Sequence, residues 1–348
     1  MSINIKTVAV TGEKQTDIIE LTTPDLRQGE VLIKVHAVAL CTLEQRIFQG
    51  EVKMPLPCTG GHEVAGEIAA LGPGVNAKKW APGDRVAVRL LYNCGECYYC
   101  RTGHANMCER AQKKPTREGL LVGPGGLCDY IIADSASLFK IADSLSYEEA
   151  SLTEPLACVV HSVGRANIQL GEDVVIIGGG IMGQYHVMLA KCKGARVILS
   201  EVDPKRAELA KQLGADIVFN PMEVDPVEFV KSVTEGRGAD VVFNTTAIPA
   251  VVGQAIAMTG KAGRMIQYSS MHPDAPTPVS PQMLHGTETI LTGSISPNGE
   301  DFFVANRLLN GGIVDCKPMI EKTFPFEEAQ KAFEAATVPG TFRVIITN

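Results

Sequence analysis

Over residues 1 to about 150, short apolar runs alternate with polar positions and are punctuated by glycine and proline. Val31-Leu-Ile-Lys-Val-His-Ala-Val38, Gly66-Glu-Ile-Ala-Ala-Leu71 and Asp84-Arg-Val-Ala-Val88 carry a period near two, with turns at Gly72-Pro73-Gly74 and Pro82-Gly83. This pattern predicts a small β domain. Beyond Ser146 the period lengthens: Leu152, Leu156, Val159, Val160 and Val163 predict a helix over 147–165. Strands and helices then alternate. Val174-Val-Ile-Ile177 is a wholly apolar strand of the kind buried on both faces. Ile181–Lys193 is a helix stopped by Gly194, Arg196–Ser200 a strand, Lys205–Leu213 a helix stopped by Gly214, and Ile217–Phe219 a strand. Asp225-Pro226 opens another helix, and Val241–Phe243, Met265–Tyr268 and Thr289–Thr292 supply further strands.

Such alternation predicts an α/β fold with a doubly wound parallel sheet. After about residue 295 only a helix, Phe326–Ala336, and a strand, Phe342–Ile346, are expected. They are too little for a third domain and should return to the first. The expected division is therefore 1–152 with 296–348 for the β-rich domain, and 153–295 for the inserted nucleotide-type domain, with a cleft where they meet.

The net charge of −7, from 32 Lys and Arg against 39 Asp and Glu, argues against a nucleic-acid partner, whose phosphates call for a basic surplus. No apolar run approaches the roughly 18–20 residues that span a bilayer, and Met1-Ser-Ile-Asn-Ile-Lys6 lacks the form of a secretory signal. The expectation is a cytoplasmic protein that uses neither nucleic acid nor membrane. In that compartment ten cysteines are thiols or metal ligands rather than disulfides.

Gly178-Gly-Gly180-Ile-Met-Gly183 follows a buried strand and opens a helix, the context of a dinucleotide-binding turn. Gly178 permits the tight turn, Gly180 the approach of a pyrophosphate, and Gly183 the packing of helix on strand. Ile181 and Met182 supply the first helical N–H groups. Eighteen residues beyond Gly183, Glu201 ends the next strand, where a carboxylate can accept both adenine-ribose hydroxyls of NAD and repel the added phosphate of NADP. Arg206 is placed to cap the adenosine end, which keeps NADP open.

Cys94-x2-Cys97-x2-Cys100-x7-Cys108 has the spacing of a tetrahedral zinc site. Four thiolates leave no open position, so an ion there is structural. Cys41, His62 and Glu63 form a second candidate set, of the kind that holds catalytic zinc with a position free for substrate. Glu154 starts the helix after the β domain, where a carboxylate also profits from the helix N-terminus.

Together these residues resemble the zinc-dependent medium-chain dehydrogenase/reductases, in the branch of sorbitol and other polyol dehydrogenases. The resemblance rests on Cys41, Gly61-His62-Glu63-Val-Ala-Gly66, Leu71-Gly-Pro-Gly-Val75, Pro82-Gly-Asp-Arg-Val86, the four-cysteine loop, Glu154-Pro155, and the glycine turn with Glu201 and Arg206. It spans essentially the whole chain. It implies a GroES-like catalytic domain and a Rossmann domain, a homodimer or homotetramer, NAD, and two zinc ions per chain, one catalytic and one structural. It also implies that Cys41, His62 and either Glu63 or Glu154 hold the catalytic zinc, and that Glu44 orients His62.

One departure stands out. The family usually carries Ser or Thr two residues after the catalytic cysteine, to pass the substrate proton outward, and this chain has Leu43. Thr42, a water activated with Glu63, or the cofactor ribose is left for that task. The activity implied is NAD-linked oxidation of a secondary alcohol on a polyol or sugar-like substrate, or the reverse. A zinc-independent NADPH reductase and an NAD-responsive sensor protein are the alternatives. The Ser294-Ile-Ser-Pro-Asn298 turn has no arginine, which favours a neutral polyol.

Overall fold

The protein is described by a computed structural model for residues 2–111 and 116–348. Two compact units are present, Met1–Ala157 with Pro297–Asn348, and Cys158–Ser296. No helix among the described residues is long and apolar enough to cross a membrane.

The first unit begins with a hairpin, β1 (Asn4–Gly12) and β2 (Gln15–Thr22), followed by β3 (Glu30–Ala39) and the short helix α1 (Thr42–Phe48). Then come β4 (Glu63–Leu71), β5 (Arg85–Arg89), α2 (Tyr98–Arg101), β6 (Tyr130–Asp134), β7 (Leu138–Lys140) and α3 (Tyr147–Ser151), and α4 (Thr153–Ala166) starts in this unit's segment and continues into the second's. The second unit holds β8 (Asp173–Ile177), α5 (Ile181–Cys192), β9 (Arg196–Ser200), α6 (Pro204–Gln212), β10 (Ile217–Phe219), α7 (Pro226–Val233), β11 (Ala239–Asn244), α8 (Pro249–Met258), β12 (Thr259–Gln267), α9 (Pro281–Thr287) and β13 (Ile290–Gly293). The chain closes the first unit with α10 (Gly299–Asn310), β14 (Ile320–Pro325), α11 (Ala329–Ala336) and β15 (Arg343–Thr347).

The first unit is a GroES-like β domain. Its main sheet runs β14-β15-β3-β4-β5-β7 with β6 also paired to β3, and it is antiparallel apart from the parallel β14–β15 pair. Ile33, Val35, Val64, Ile68, Val86, Phe48, Phe333 and Val344 lie within its continuous core. The second unit is a Rossmann-type sheet, all parallel, in the order β10-β9-β8-β11-β12-β13. The sequence order reverses beside β8, so the turn after β8 lies at the switch point where such sheets bind ligands.

Three local features differ from the sequence expectation. The helix expected over 147–165 is two helices, with Leu152 between them at φ −78° and ψ 5°. Pro155, the third residue of α4, has no N–H and crowds the carbonyl four residues back, so one helix cannot run through it. The segment after residue 295 contains α10 and β14 as well as the expected helix and strand. The start of α10 is marked by a reciprocal cap between Asn298 and Asp301, a signal present in the sequence. The helices α8 and α9 are likewise additional, each opened by proline in its first turn.

Candidate metal centres and dinucleotide turn

Strand register brings the first group together. Ala39 at the end of β3 pairs with Glu63 at the start of β4, so the chain leaves β3 through Leu40 and Cys41 beside His62. One ligand atom each from Cys41, His62 and Glu63 lies within 4.8 Å of the others. Glu154 is not within that group, but it is buried and close enough for its charge to act on Glu63.

Glu44, from α1, holds the histidine. Its buried carboxylate accepts from the Gly61 N–H at 2.9 Å and from His62 Nδ1 at 3.0 Å. A carboxylate in this role only accepts, so Nδ1 carries the proton and Nε2 faces the cysteine. The approach needs Gly60 and Gly61: a Cβ on Gly60 would sit 2.5 Å from Glu44 Cγ, and Gly61 has φ +85°. Burial pushes the imidazole down, but Glu44 and Cys41 outweigh it and hold His62 well above its ordinary value. Burial likewise raises the Glu44 carboxyl, and His62 with the Gly61 N–H more than reverses this.

Glu63 is fully buried and paired with Arg343, whose Nε and Nη2 donate to its two oxygens at 2.9 and 2.5 Å. Burial pushes the Glu63 carboxyl up to about 7, with Arg343 opposing and the charge on Glu154 adding to the rise. Arg343 was not among the residues expected from sequence. Its one signal was a charge inside the otherwise apolar run Phe342-Arg-Val-Ile-Ile346. Thr42 and Leu43 form the exposed first turn of α1, Leu43 at 40% exposure, so neither is enclosed within this unit.

The four cysteines form a second cluster, with their sulfurs within 4.8 Å of one another. Backbone N–H groups point at the sulfurs: Cys94 N–H and Arg110 N–H reach Cys108 Sγ at 3.3 and 3.4 Å, and Cys97 N–H reaches Cys94 Sγ at 3.4 Å. The N–H groups of Cys100 and Glu109 draw the Cys97 thiol down to about 6, whereas burial pushes Cys100 up to about 12.

In the second unit, Gly178 has φ +97°, and a Cβ on Gly183 would lie 1.9 Å from the Gly178 carbonyl oxygen. Strand, turn and helix therefore close only with glycine at both positions. Thr245 Oγ1 donates to the carbonyls of Ile177 and Gly178 at 2.8 and 3.0 Å, which steadies the turn from β11. At Gly180 a Cβ would meet nothing within 4 Å, so that side of the turn is open. Ile181 and Met182 begin α5 there.

Glu201 is nearly buried, and its carboxylate is already in use. The Gly179 N–H donates to Oε2, and Val202 and Asp203 N–H donate to Oε1 at 2.7 and 2.8 Å. A carboxylate has about four acceptor positions, so roughly one is left rather than the two needed for both ribose hydroxyls. Gln184 completes the clamp: its Nε2 donates to the carbonyls of Gly179 and Arg206, each at 2.9 Å. Arg206 itself stands in the first turn of α6, its N–H on the Asp203 cap at 3.0 Å.

Comparison with known proteins identifies both domain types. Residues 27–143 match the alcohol dehydrogenase GroES-like domain family, and 182–311 the zinc-binding dehydrogenase family. D-arabitol-phosphate dehydrogenase of Enterococcus avium is 32% identical over 96% of this chain and 94% of its own length. Sorbitol dehydrogenase of Bacillus subtilis strain 168 is 33% identical over the same shares. Among solved structures, a zinc-binding dehydrogenase of Sinorhizobium meliloti 1021 bound to NADP is 26% identical, covers 99% of this chain and 100% of that one, and has a TM-score of 0.89. With its two domain types, its cysteine, histidine and glutamate clusters and full-length relatives above 30% identity, the chain belongs to the zinc-type medium-chain dehydrogenase/reductases, in their polyol-dehydrogenase-like branch.

Proposed function

We propose that this oxidoreductase interconverts a secondary alcohol of a polyol or sugar-like molecule and the corresponding ketone, using NAD and a catalytic zinc ion. The observation that carries the reading is the convergence of Cys41, His62 and Glu63 with Glu44 behind the imidazole. Thiolate, imidazole and carboxylate are zinc donors, and with Nδ1 donating to Glu44 the imidazole has Nε2 left to serve as a ligand. Cys41, His62 and Glu63 would hold the ion, with Glu154 the second carboxylate within reach of Glu63 by charge. When bound, zinc would supply Lewis acidity toward an alcohol oxygen and the nicotinamide would supply a hydride acceptor.

The chain's own residues supply position and charge. Glu44 fixes the ring plane of His62, and Arg343 keeps Glu63 in place and its charge compensated. Thr42, at the exposed start of α1, is the hydroxyl offered for the proton in place of Leu43. In the second unit Gly178, Gly180, Ile181, Met182 and Gly183 would take the pyrophosphate at the N-terminus of α5. Glu201, pinned by three N–H donors, leaves a negative group with one acceptor position, which suits a ribose hydroxyl and opposes a phosphate. Arg206 would stand at the adenosine end. The four cysteines would hold a structural zinc ion, their sulfurs already gathered within 4.8 Å. The same reading carries a cytoplasmic homodimer or homotetramer.

Metal analysis combined with turnover of a polyol panel, with NAD and NADP in parallel, tests the proposal. Two zinc ions per chain and NAD-linked turnover that Cys41→Ser and His62→Ala abolish are expected. Full turnover by either variant without metal would refute it.

A further inference from the structure

Gln184 is a fully buried amide on α5, one residue past the last glycine of the turn after β8. Its Nε2 donates to carbonyls of two different elements, Gly179 within the turn and Arg206 in the first turn of α6, each at 2.9 Å. Its Oε1 is buried and has no hydrogen-bond partner among the described residues. Turning the amide over would set Oε1 against the same two carbonyl oxygens, so its orientation is fixed. An apolar side chain would fill this position without stranding an acceptor. The two carbonyl bonds are what the amide adds there.

Those bonds close a circuit around Glu201. The Gly179 N–H donates to Glu201 Oε2, and the Val202 and Asp203 N–H groups donate to Oε1 at 2.7 and 2.8 Å. Asp203 Oδ1 in turn accepts from the Arg206 N–H at 3.0 Å. Gly179 is squeezed between the two side chains: a Cβ there would lie 2.8 Å from Glu201 Oε2 and 3.3 Å from Gln184 Nε2. Three converging backbone N–H groups make a cradle for an anion, and here the chain's own carboxylate fills it. While Gln184 ties the first turn of α6 to Gly179, the donors stay converged and hold Glu201 in place.

Resting on the reading that this turn takes NAD, we infer that Gln184 is a positioning residue that sets cofactor specificity: by tying Gly179 to Arg206 it keeps Glu201 seated, and so keeps a negative charge where NADP would bring its added phosphate. Without the two bonds the first turn of α6 is free to move away from Gly179. The cradle then opens, Glu201 swings out, and its N–H donors, with Arg206 on the same turn, become available to a phosphate. Gln184 touches no reacting atom and acts through Glu201.

The test is fluorescence titration of the full chain with NADH and NADPH in parallel. Gln184→Met keeps the size of the buried side chain and removes both bonds. The ratio of NADPH to NADH affinity should rise about tenfold over the parent, as expected for the loss of two hydrogen bonds. Gly180→Ala, which intrudes on the pyrophosphate common to both cofactors, should weaken both and leave the ratio where it was. An unchanged ratio in Gln184→Met overturns the inference, whether or not the two affinities fall together, and marks a packing role. A ratio shifted equally by Gly180→Ala overturns it as well. A parent that prefers NADPH, or binds neither dinucleotide, instead removes the NAD reading itself. If Gln184→Met does not fold, Gln184→Leu is judged by the same criteria.

Discussion

Arg343 and Glu63 stand 280 residues apart in sequence and are joined by two parallel hydrogen bonds in the interior of the first unit. Their strands, β15 and β4, pair with β3 from its two sides. Arg343→Met leaves a buried carboxylate without its cation and should cost about 3–5 kcal/mol in urea unfolding. Adding Glu63→Gln removes the stranded charge, so the double variant should be more stable than Arg343→Met alone. Strictly additive losses in that cycle would show that the two do not act as a unit.

Glu44 has no direct place in the Cys41–His62–Glu63 group, yet it fixes the tautomer of His62. Glu44→Gln should lower zinc occupancy at this group by about 10–100-fold in affinity while the four-cysteine ion is retained. Gly60→Ala should act in the same direction, because its Cβ would displace a side chain 2.5 Å away. Site-resolved metal analysis by chelator competition checks both. Unchanged occupancy in Glu44→Gln would remove its orienting role.

The turn after β8 allows two glycines to be separated by mechanism. Gly183→Ala forces a Cβ to 1.9 Å from the Gly178 oxygen and should destabilise the second unit and abolish cofactor binding. Gly180→Ala meets no protein atom within 4 Å at φ −64°, so the melting temperature should hold or rise slightly. Its NADH affinity, read by fluorescence titration, should nevertheless fall, because the methyl group enters the space left for the pyrophosphate. Normal affinity in Gly180→Ala would place the dinucleotide elsewhere.

His186 gives the second unit an acid-sensitive core. Its Nδ1 donates to the Met182 carbonyl at 2.8 Å, so neutral Nε2 accepts from Ser162 Oγ at 2.9 Å. Burial pushes the imidazole down to about 4, with the Met182 carbonyl opposing. The unfolded chain, near the ordinary value of about 6.5, therefore binds a proton through a range in which the folded chain does not. Stability from this group is full above about pH 6.5 and is lost as the pH falls toward 4, by roughly 3 kcal/mol in all. Urea midpoints between pH 7 and 4.5 should fall more steeply for the wild type than for His186→Gln. Parallel curves would exclude the histidine as the source.

What the sequence determined by itself was local. Cysteine spacing put four sulfurs within reach of one ion, and glycines between strand and helix specified the turn after β8, because backbone sterics act over a few residues. The parallel sheet was legible from strand–helix alternation and wholly apolar strands. Helix boundaries were less so: the apolar spacing ran through Leu152, and the missing N–H of Pro155 decided the break.

Tertiary structure decided which distant residues meet. The register of Ala39 on Glu63 sets Cys41 beside His62, and a strand from the far end of the chain delivers Arg343 to Glu63. It also decided that Glu201 spends most of its acceptor capacity on Gly179, Val202 and Asp203. Residue types state what a side chain can bind, but sheet order and pairing register determine which partner it finds.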